Sequence, residues 1–212
     1  MGDFLDGILA AFPRENRAKV LTFIAEGIEY YRSKAIKYTK GPMEDRLGIV
    51  HAFYEAVHRS IKRDTTQTVL SQVKCKKGCA HCCKIKVLVS LCEAQYVYEF
   101  CKEYNIPIDV EYLKKQATLK EDNDYDFSKF RNCVFLSEEN SCRIYEARPI
   151  SCRRHLVVSD PSHCDVQSGR KEVATIPAVD AAMIGAGLAL ASGEQGSFPE
   201  MLLRAIELDK KS

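Results

Sequence analysis

The sequence lacks tryptophan, a long apolar run and an excess of either charge. Lys and Arg number 31 and Asp and Glu 29, so the net charge is only +2. Proteins that bind nucleic-acid backbones usually have a much more basic balance. The longest uninterrupted apolar stretch is the eleven residues 181–191, whereas a helix needs about 20 to cross a bilayer. These absences argue against nucleic-acid binding and against a transmembrane helix.

The amino-terminal sequence also lacks recognisable export and lipidation signals. It begins Met1-Gly2-Asp3-Phe4-Leu5-Asp6, without the cationic stretch of a secretory signal or the Ser or Thr of a myristoylation site. We therefore expect a cytoplasmic protein with no membrane partner. Because thiols stay reduced in the cytoplasm, we do not expect a disulfide framework.

Cysteine is abundant but unevenly distributed. All ten cysteines lie between Cys75 and Cys164, and the first 74 and last 48 residues contain none. The chain has 212 residues, 46% of them hydrophobic, which is enough to bury a sizeable core. The clustering of the cysteines indicates a local chemical purpose.

The periodicity of apolar residues predicts a mostly α-helical fold. Apolar residues recur every three or four positions over 14–38 and again after the break at Gly41-Pro42, which predicts a helical hairpin. The apolar face of the second helix consists of Leu47, Val50, Tyr54, Val57 and Ile61.

The remaining elements are predicted from local signals. Ser90-Leu91-Cys92-Glu93 has the form of a capping box and predicts a helix from 91 to about 104. Further helices are expected over 110–119 and 177–192, the latter rich in small residues that allow close packing, and an exposed loop over 120–126. The apolar runs 133–136 and 142–145 flank a turn, so at most one short hairpin is expected.

The central motif is the array Cys75-Lys76-Lys77-Gly78-Cys79-Ala80-His81-Cys82-Cys83. On a helix its four thiols would fall within an arc of about 100°, and a loop through Gly78 wrapped around a metal would gather the same sulfurs. Thiolates in sets of four are common ligands of zinc and of iron–sulfur clusters. In either conformation the array therefore predicts a metal-ligand set.

Four later cysteines bring the number of candidate ligands to eight. They are Cys133, Cys142, Cys152 and Cys164. Eight thiols fit two tetrahedral sites or one polynuclear site. The adjacent Cys82 and Cys83 are difficult to place on a single ion, so we expect them to serve different metals or different irons of one cluster. Lys and Arg residues surround both groups, and positive charge lowers thiol pKa and offsets a thiolate–metal centre.

Other residues near the cysteines have simpler expected roles. Cys92 and Cys101 lie on the capped helix and are expected to be small buried hydrophobes. We expect His81 to be hydrogen-bonded or exposed, whereas His155 and His163 flank the later cysteines and are alternative ligands.

Arg148-Pro149 precedes Cys152. The proline is expected to fix a turn that aims Cys152 inward, while the Arg148 guanidinium bonds nearby carbonyls or sulfur. An anion-binding pair of Arg148 with Arg153 is the functional alternative.

The order of these motifs resembles the cysteine-cluster family named CxxCxxCC, also called the YkgJ family, which is described as a zinc- or iron-chelating domain. The motifs that carry the resemblance are C-x3-C-x2-C-C, Cys133-Val134-Phe135-Leu136, Cys142-Arg143-Ile144-Tyr145, Arg148-Pro149-Ile150-Ser151-Cys152-Arg153 and Cys164. The first spacing here is three residues where the family name has two. The resemblance implies metal binding and no particular reaction. It implies these ligands: Cys75, Cys79, Cys82, Cys83, Cys133, Cys142, Cys152 and Cys164.

We therefore expect a helical shell around an irregular, cysteine-rich, metal-binding core. Its parts would be an N-terminal helical hairpin over 1–72, a cysteine-cluster domain over 73–168, and a helical segment over 169–212 packed on that domain. The metal is predicted to be zinc or iron, the latter including an iron–sulfur cluster, held for storage, delivery, redox or structural use.

Two other functional classes stay open. Flagellin lysine methylases look like relatives with a similar cysteine set, which keeps an iron–sulfur enzyme as an alternative. The spacing of Cys75, Cys79 and Cys82 also matches the cluster loop of radical S-adenosylmethionine enzymes, but too few residues follow for their barrel. A structural zinc module for protein or nucleic-acid interaction is the other alternative; without tryptophan or a basic surplus, the nucleic-acid version is disfavoured. Enzyme activity and any protein partner are left undecided.

Overall fold

The fold is a shell of helices with a short two-stranded sheet. The computed structural model describes residues 8–10, 12–76, 78–118, 132–165 and 172–211. Its helices are α1 (Arg17–Thr39), α2 (Met43–Asp64), α3 (Gln67–Leu70), α4 (Leu91–Glu103), α5 (Val110–Ala117), α6 (Ile150–Arg153), α7 (Val179–Ser192) and α8 (Phe198–Asp209). Its strands are β1 (Leu88–Ser90) and β2 (Gln195–Ser197). Single 3-10 turns lie at Arg14–Asn16, His81–Lys84, Tyr145–Ala147 and Pro161–Cys164. The prediction of a mostly α fold is confirmed.

Helices α1 and α2 form the predicted antiparallel pair, broken at Gly41-Pro42. The apolar face predicted for α2 is turned inward: Val50, Tyr54, Val57 and Ile61 are buried there. They pack with residues of α7 and with Cys92 and Ile150, both within the cysteine-rich segment between Cys75 and Cys164. No helix within the described ranges is both long enough and apolar enough to span a bilayer.

Helix α7 packs so closely against α1 that the backbones of the two helices are nearly in contact. A Cβ placed on Gly187 would stand 2.8 Å from the backbone nitrogen of Arg32 and 2.9 Å from the carbonyl oxygen of Ile28. The close packing expected for this small-residue helix therefore occurs, with its tightest point at Gly187. Only glycine permits this separation of the two helices.

Substitution of Gly187 by Ala is expected to lower the free energy of unfolding by about 3 kcal/mol, because the added methyl must push the helices apart. Gly48→Ala is the matched control, since a Cβ at that exposed position in α2 meets nothing within 4 Å. There the better helix propensity of alanine should stabilise the protein by about 1 kcal/mol. Chemical denaturation of both variants tests the pair; similar stability of the two would contradict the close approach.

A second hydrophobic core lies between α4, α5 and α8. Val97, Leu113 and Leu202 meet there with Phe135 and Ile144 from the cysteine-rich segment. Helix α4 begins with the predicted capping box, in which Ser90 and Glu93 bond each other reciprocally. The irregular segment is thus built onto regular helices through its own aromatic and aliphatic residues.

The expected pairing of 133–136 with 142–145 is reduced to a single antiparallel bridge between Leu136 and Cys142. Phe135 and Ile144 are drawn into the helical core, and the chain enters the 3-10 turn at Tyr145. The regular sheet instead joins β1 to β2, with Leu88 opposite Ser197 and Ser90 opposite Gln195. The loop expected over 120–126 lies outside the described residues.

Candidate metal centre

The first cysteine array is a loop and not a helix. Gly78 has a φ of +87°, a left-handed conformation that favours glycine. The backbone N–H of Cys79 donates to the Lys76 carbonyl, and the single 3-10 turn His81–Lys84 follows. Of the two conformations considered for this array, the structure has the loop through Gly78.

Seven of the eight predicted ligands border one cavity of about 530 Å³. These seven cysteines are Cys75, Cys79, Cys82, Cys83, Cys133, Cys142 and Cys152. The eighth, Cys164, lies in the 3-10 turn Pro161–Cys164, which packs against the turn His81–Lys84. All ten cysteines are free thiols. The two stretches of chain that carry the eight cysteines therefore meet in space.

The thiols of the first array raise the pKa of Cys164. Burial, together with the neighbouring Cys75, Cys79 and Cys82, raises its pKa to about 11. Each of these neighbours disfavours a second negative charge nearby. Cys164 thus belongs electrostatically with Cys75, Cys79 and Cys82.

The later cysteines Cys133 and Cys142 contribute to a raised pKa at Cys83. Its side-chain hydrogen bond with Cys82 raises its pKa most, followed by burial and by the charges of Cys82, Cys133 and Cys142. The same interaction lowers the pKa of Cys82 to about 7, so Cys82 ionises more readily than Cys83. For Cys152, burial raises the pKa most, and Cys133, Cys82 and Cys142 raise it further. Cys82 therefore lies between two groups of thiols.

Backbone hydrogen bonds hold the two stretches together. The N–H of Cys133 donates to the Cys83 carbonyl at 2.7 Å. On the other side, the N–H of Val157 donates to the Cys75 sulfur at 3.3 Å, and the N–H of Lys74 donates to the Val157 carbonyl at 2.8 Å. These three hydrogen bonds connect the first array to the segments that carry the later cysteines.

Glu93 connects helix α4 to the segment that carries Cys152. One of its carboxylate oxygens accepts from Ser90, as the capping box requires. The other accepts the N–H of Ile150 at 2.9 Å, at the start of α6. The side chain is buried, and burial raises the pKa of its carboxyl. The sequence predicts the cap but contains no signal for the second contact, which spans 57 residues.

Replacement of Glu93 by Ala is expected to cost about 3 kcal/mol, because it leaves the buried N–H groups of Ser90 and Ile150 without acceptors. Glu200→Ala is the control: Glu200 forms the same capping box with Ser197 but is exposed. Loss of that cap alone should cost about 1 kcal/mol. Equal losses in thermal or chemical unfolding would show that the bond to Ile150 contributes nothing.

The bonds to carbonyl groups that were expected of Arg148 are made by Arg153. Arg153, not Arg148, bonds the carbonyls: it is buried, donates to the carbonyls of Arg148 and Glu146, and lies 4.1 Å from the Tyr54 ring centroid. The Arg148 guanidinium borders the cavity and stacks 3.9 Å from the centroid of the Tyr145 ring. The two side chains are directed to different partners by packing that the local sequence does not reveal.

The histidines near the thiols differ in their surroundings. The expectation for His81 is wrong, because its ring is half-buried and its buried Nδ1 has no hydrogen-bond partner within the described chain. His155 borders the cavity, and burial, assisted by Arg154, lowers the pKa of its ring. His163 Nδ1 faces the Glu172 carbonyl at 3.1 Å. Cys92 and Cys101 are buried outside the cavity lining, as expected.

The thiols share a cavity without forming a closed ligand shell. Over the described ranges, no group of three or more His, Cys, Asp or Glu side chains is arranged to hold an ion as it stands. The donor chemistry nevertheless suits zinc and iron, which thiolate sulfur binds well. The residues present therefore fit such a metal by type and by location.

Comparison with known proteins identifies the cysteine-rich segment. Residues 74–168 match the family model CxxCxxCC, described as "Putative zinc- or iron-chelating domain". No curated protein and no solved structure was found to match the chain. The matched range contains all eight cysteines predicted to be ligands and most of the residues that line the cavity, but not Phe198 and Pro199. The resemblance inferred from the cysteine motifs is thus confirmed over residues 74–168.

Proposed function

We propose that this protein binds zinc or iron through eight cysteine thiolates at the cavity described above. The observation that carries the proposal is that seven of the eight thiols border one cavity, while the turn of the eighth packs against the same loop. Cysteine in such numbers is rarely needed for packing alone, and thiolates are strong ligands for both metals.

The eight thiols divide into two sets of four. The first set consists of Cys75, Cys79, Cys82 and Cys164. The second set consists of Cys83, Cys133, Cys142 and Cys152. Cys75 and Cys79 raise the pKa of Cys164, and Cys133 and Cys142 raise the pKa values of Cys83 and Cys152. Cys82 affects thiols of both sets, and its adjacency to Cys83 is the reason for placing it in the first set. Each set has the four sulfurs that a tetrahedral zinc site or an iron–sulfur cluster uses.

Loading would require movement of the thiols and of the loops that carry them, but not of the helical core. A zinc–thiolate site holds its sulfurs about 2.3 Å from the ion, so the thiols would have to close in from the cavity wall. The array containing Gly78 is a loop with a single 3-10 turn, which can adjust more readily than a long helix.

Burial raises the pKa of most of these thiols, and the positive charge of Arg148 opposes that rise at several of them. Arg148 lowers the pKa of Cys82, although the hydrogen bond from Cys83 is the larger cause of that shift. Arg148 also opposes the rise in pKa that burial causes at Cys142 and Cys152. Since metal ligation requires thiolates, this arrangement lowers the cost of deprotonating them on loading.

We place the protein in the cytoplasm, where its ten free cysteines would stay reduced. A metal held by four thiolates with no open position serves structure, storage or electron transfer more readily than hydrolysis, which needs an open coordination position. We therefore propose metal binding and assign no reaction to the site.

Anaerobic purification of the full chain followed by elemental analysis tests the proposal. Zinc-loaded protein should contain about two ions per chain and be colourless. Iron–sulfur-loaded protein should be brown and release acid-labile sulfide. Protein that retains neither metal, and takes up neither when zinc or ferrous iron with sulfide is supplied under reducing conditions, would contradict the proposal.

A further inference from the structure

The cavity that the thiols border also has apolar wall residues, which metal ligation does not use. Its volume of about 530 Å³ falls in the range of about 300–1,000 Å³ typical of small-molecule sites. One water molecule, by comparison, occupies about 30 Å³ of liquid. Apolar side chains from separate elements line it, among them Val87, Leu113, Ile144 and Phe198. A cavity of this size and lining suits an organic molecule.

Arg148 presents hydrogen-bond donors to this cavity. Its Nε is buried and has no hydrogen-bond partner among the residues described, and no described carboxylate pairs with its guanidinium. The ring of Tyr145 supports the guanidinium from one side at 3.9 Å from the centroid. A buried donor without an acceptor is unfavourable, so a ligand that supplies an acceptor gains affinity.

The described lining is cationic beyond Arg148. Lys76 and Lys84 also border the cavity, and neither Asp nor Glu is among its described lining residues. Metal-bound thiolates would balance part of this charge. They would not present two oxygens in one plane, however, which is the arrangement that the planar donors of a guanidinium match best.

We propose that the cavity binds a small organic carboxylate with an aliphatic chain. The carboxylate would pair with Arg148, and the chain would lie along Val87, Leu113 and Phe198. This site goes beyond the proposed function: it uses the same cavity but does not require that the thiols hold a metal.

Calorimetric titration of the full chain with octanoate tests the proposal, with octan-1-ol as the neutral probe of equal chain length. Octanoate should bind with one site per chain, and octan-1-ol at least about ten-fold more weakly. Arg148→Gln should weaken octanoate binding about ten-fold or more and leave octan-1-ol binding unchanged. Arg59→Gln, an exposed position on α2, is the matched control and should change neither. Metal content is measured on the same samples.

Absence of octanoate binding, or equal binding by the Arg148→Gln variant, would overturn the proposal. If Arg148→Gln lost metal while neither protein bound octanoate, the guanidinium would serve the thiolates alone, and the proposal would again be wrong. Octanoate binding by a protein that takes up no metal would support this proposal and contradict the proposed function. Val87→Phe fills the half-buried wall and should weaken both probes, so the test holds even if Arg148→Gln does not fold.

Discussion

Serine in place of Cys142 or of Cys164 is expected to remove half of the bound metal in each case and to leave the other half. The charge of Cys142 raises the pKa values of Cys83 and Cys152, whereas the charges of Cys75 and Cys79 raise the pKa of Cys164. An apparent binding free energy of about 10–16 kcal/mol spread over four thiolates is about 3 kcal/mol for each ligand, or roughly a hundred-fold in affinity. Metal content after dialysis against a graded chelator measures the loss.

The double variant should lose all of the metal, because each substitution disables one set. Cys101→Ala is the control, since Cys101 is buried on α4 away from the cavity lining, and its metal content should equal that of the unaltered protein. Complete loss from either single variant would indicate one polynuclear site and overturn the division into two sets. Full retention in the double variant would show that these cysteines are not ligands.

Removal of the metal is expected to unfold the cysteine-rich segment while the helical core persists. Over 132–165 the regular elements are only single turns: Tyr145–Ala147, α6 and Pro161–Cys164. Structural metal sites supply about 10 kcal/mol or more of folding free energy, which is more than these turns can replace. By contrast, α1 and α7 pack closely against each other at Gly187, and this packing does not involve the cysteines.

Hydrogen exchange measured before and after chelation localises this effect. Protection should fall by orders of magnitude in 73–87 and 132–165 and change little in α1, α2 and α7. The Cys142, Cys164 double serine variant serves as control, because a chelator should not change its exchange further. Unchanged protection of 132–165 after complete removal of the metal would show that the loops do not depend on it.

The helices were predictable because their signals are local. The Gly41-Pro42 break separates α1 from α2, and the Ser90 and Glu93 capping box places the start of α4. The apolar spacing in α2 identified its buried face. Each of these features depends on residues within a few positions of one another, so the sequence alone contains the information.

The site was predictable in its composition but not in its arrangement. Number and spacing of cysteines identified eight thiols, seven of which border one cavity. Which thiols neighbour one another depends on long-range packing, and so does the bond from Glu93 to Ile150. Arg148 and Arg153 could not be distinguished because their roles depend on the partners Tyr145 and Tyr54. Residue spacing does not indicate that Glu93 accepts the N–H of Ile150, or that the Arg148 guanidinium borders the cavity.

The return of the chain at β2 decides how the protein can be divided. Strand β2 pairs with β1, and the N–H of Phe198 donates to the Val87 carbonyl. Phe198 and Pro199 also form part of the cavity wall, although both lie beyond the matched range. A fragment trimmed to 74–168 would consequently be open to solvent on one side, with an orphaned strand edge prone to aggregation. An isolated cysteine-rich fragment should therefore include Phe198 and Pro199. Binding measured on a shorter fragment would be binding to an altered cavity.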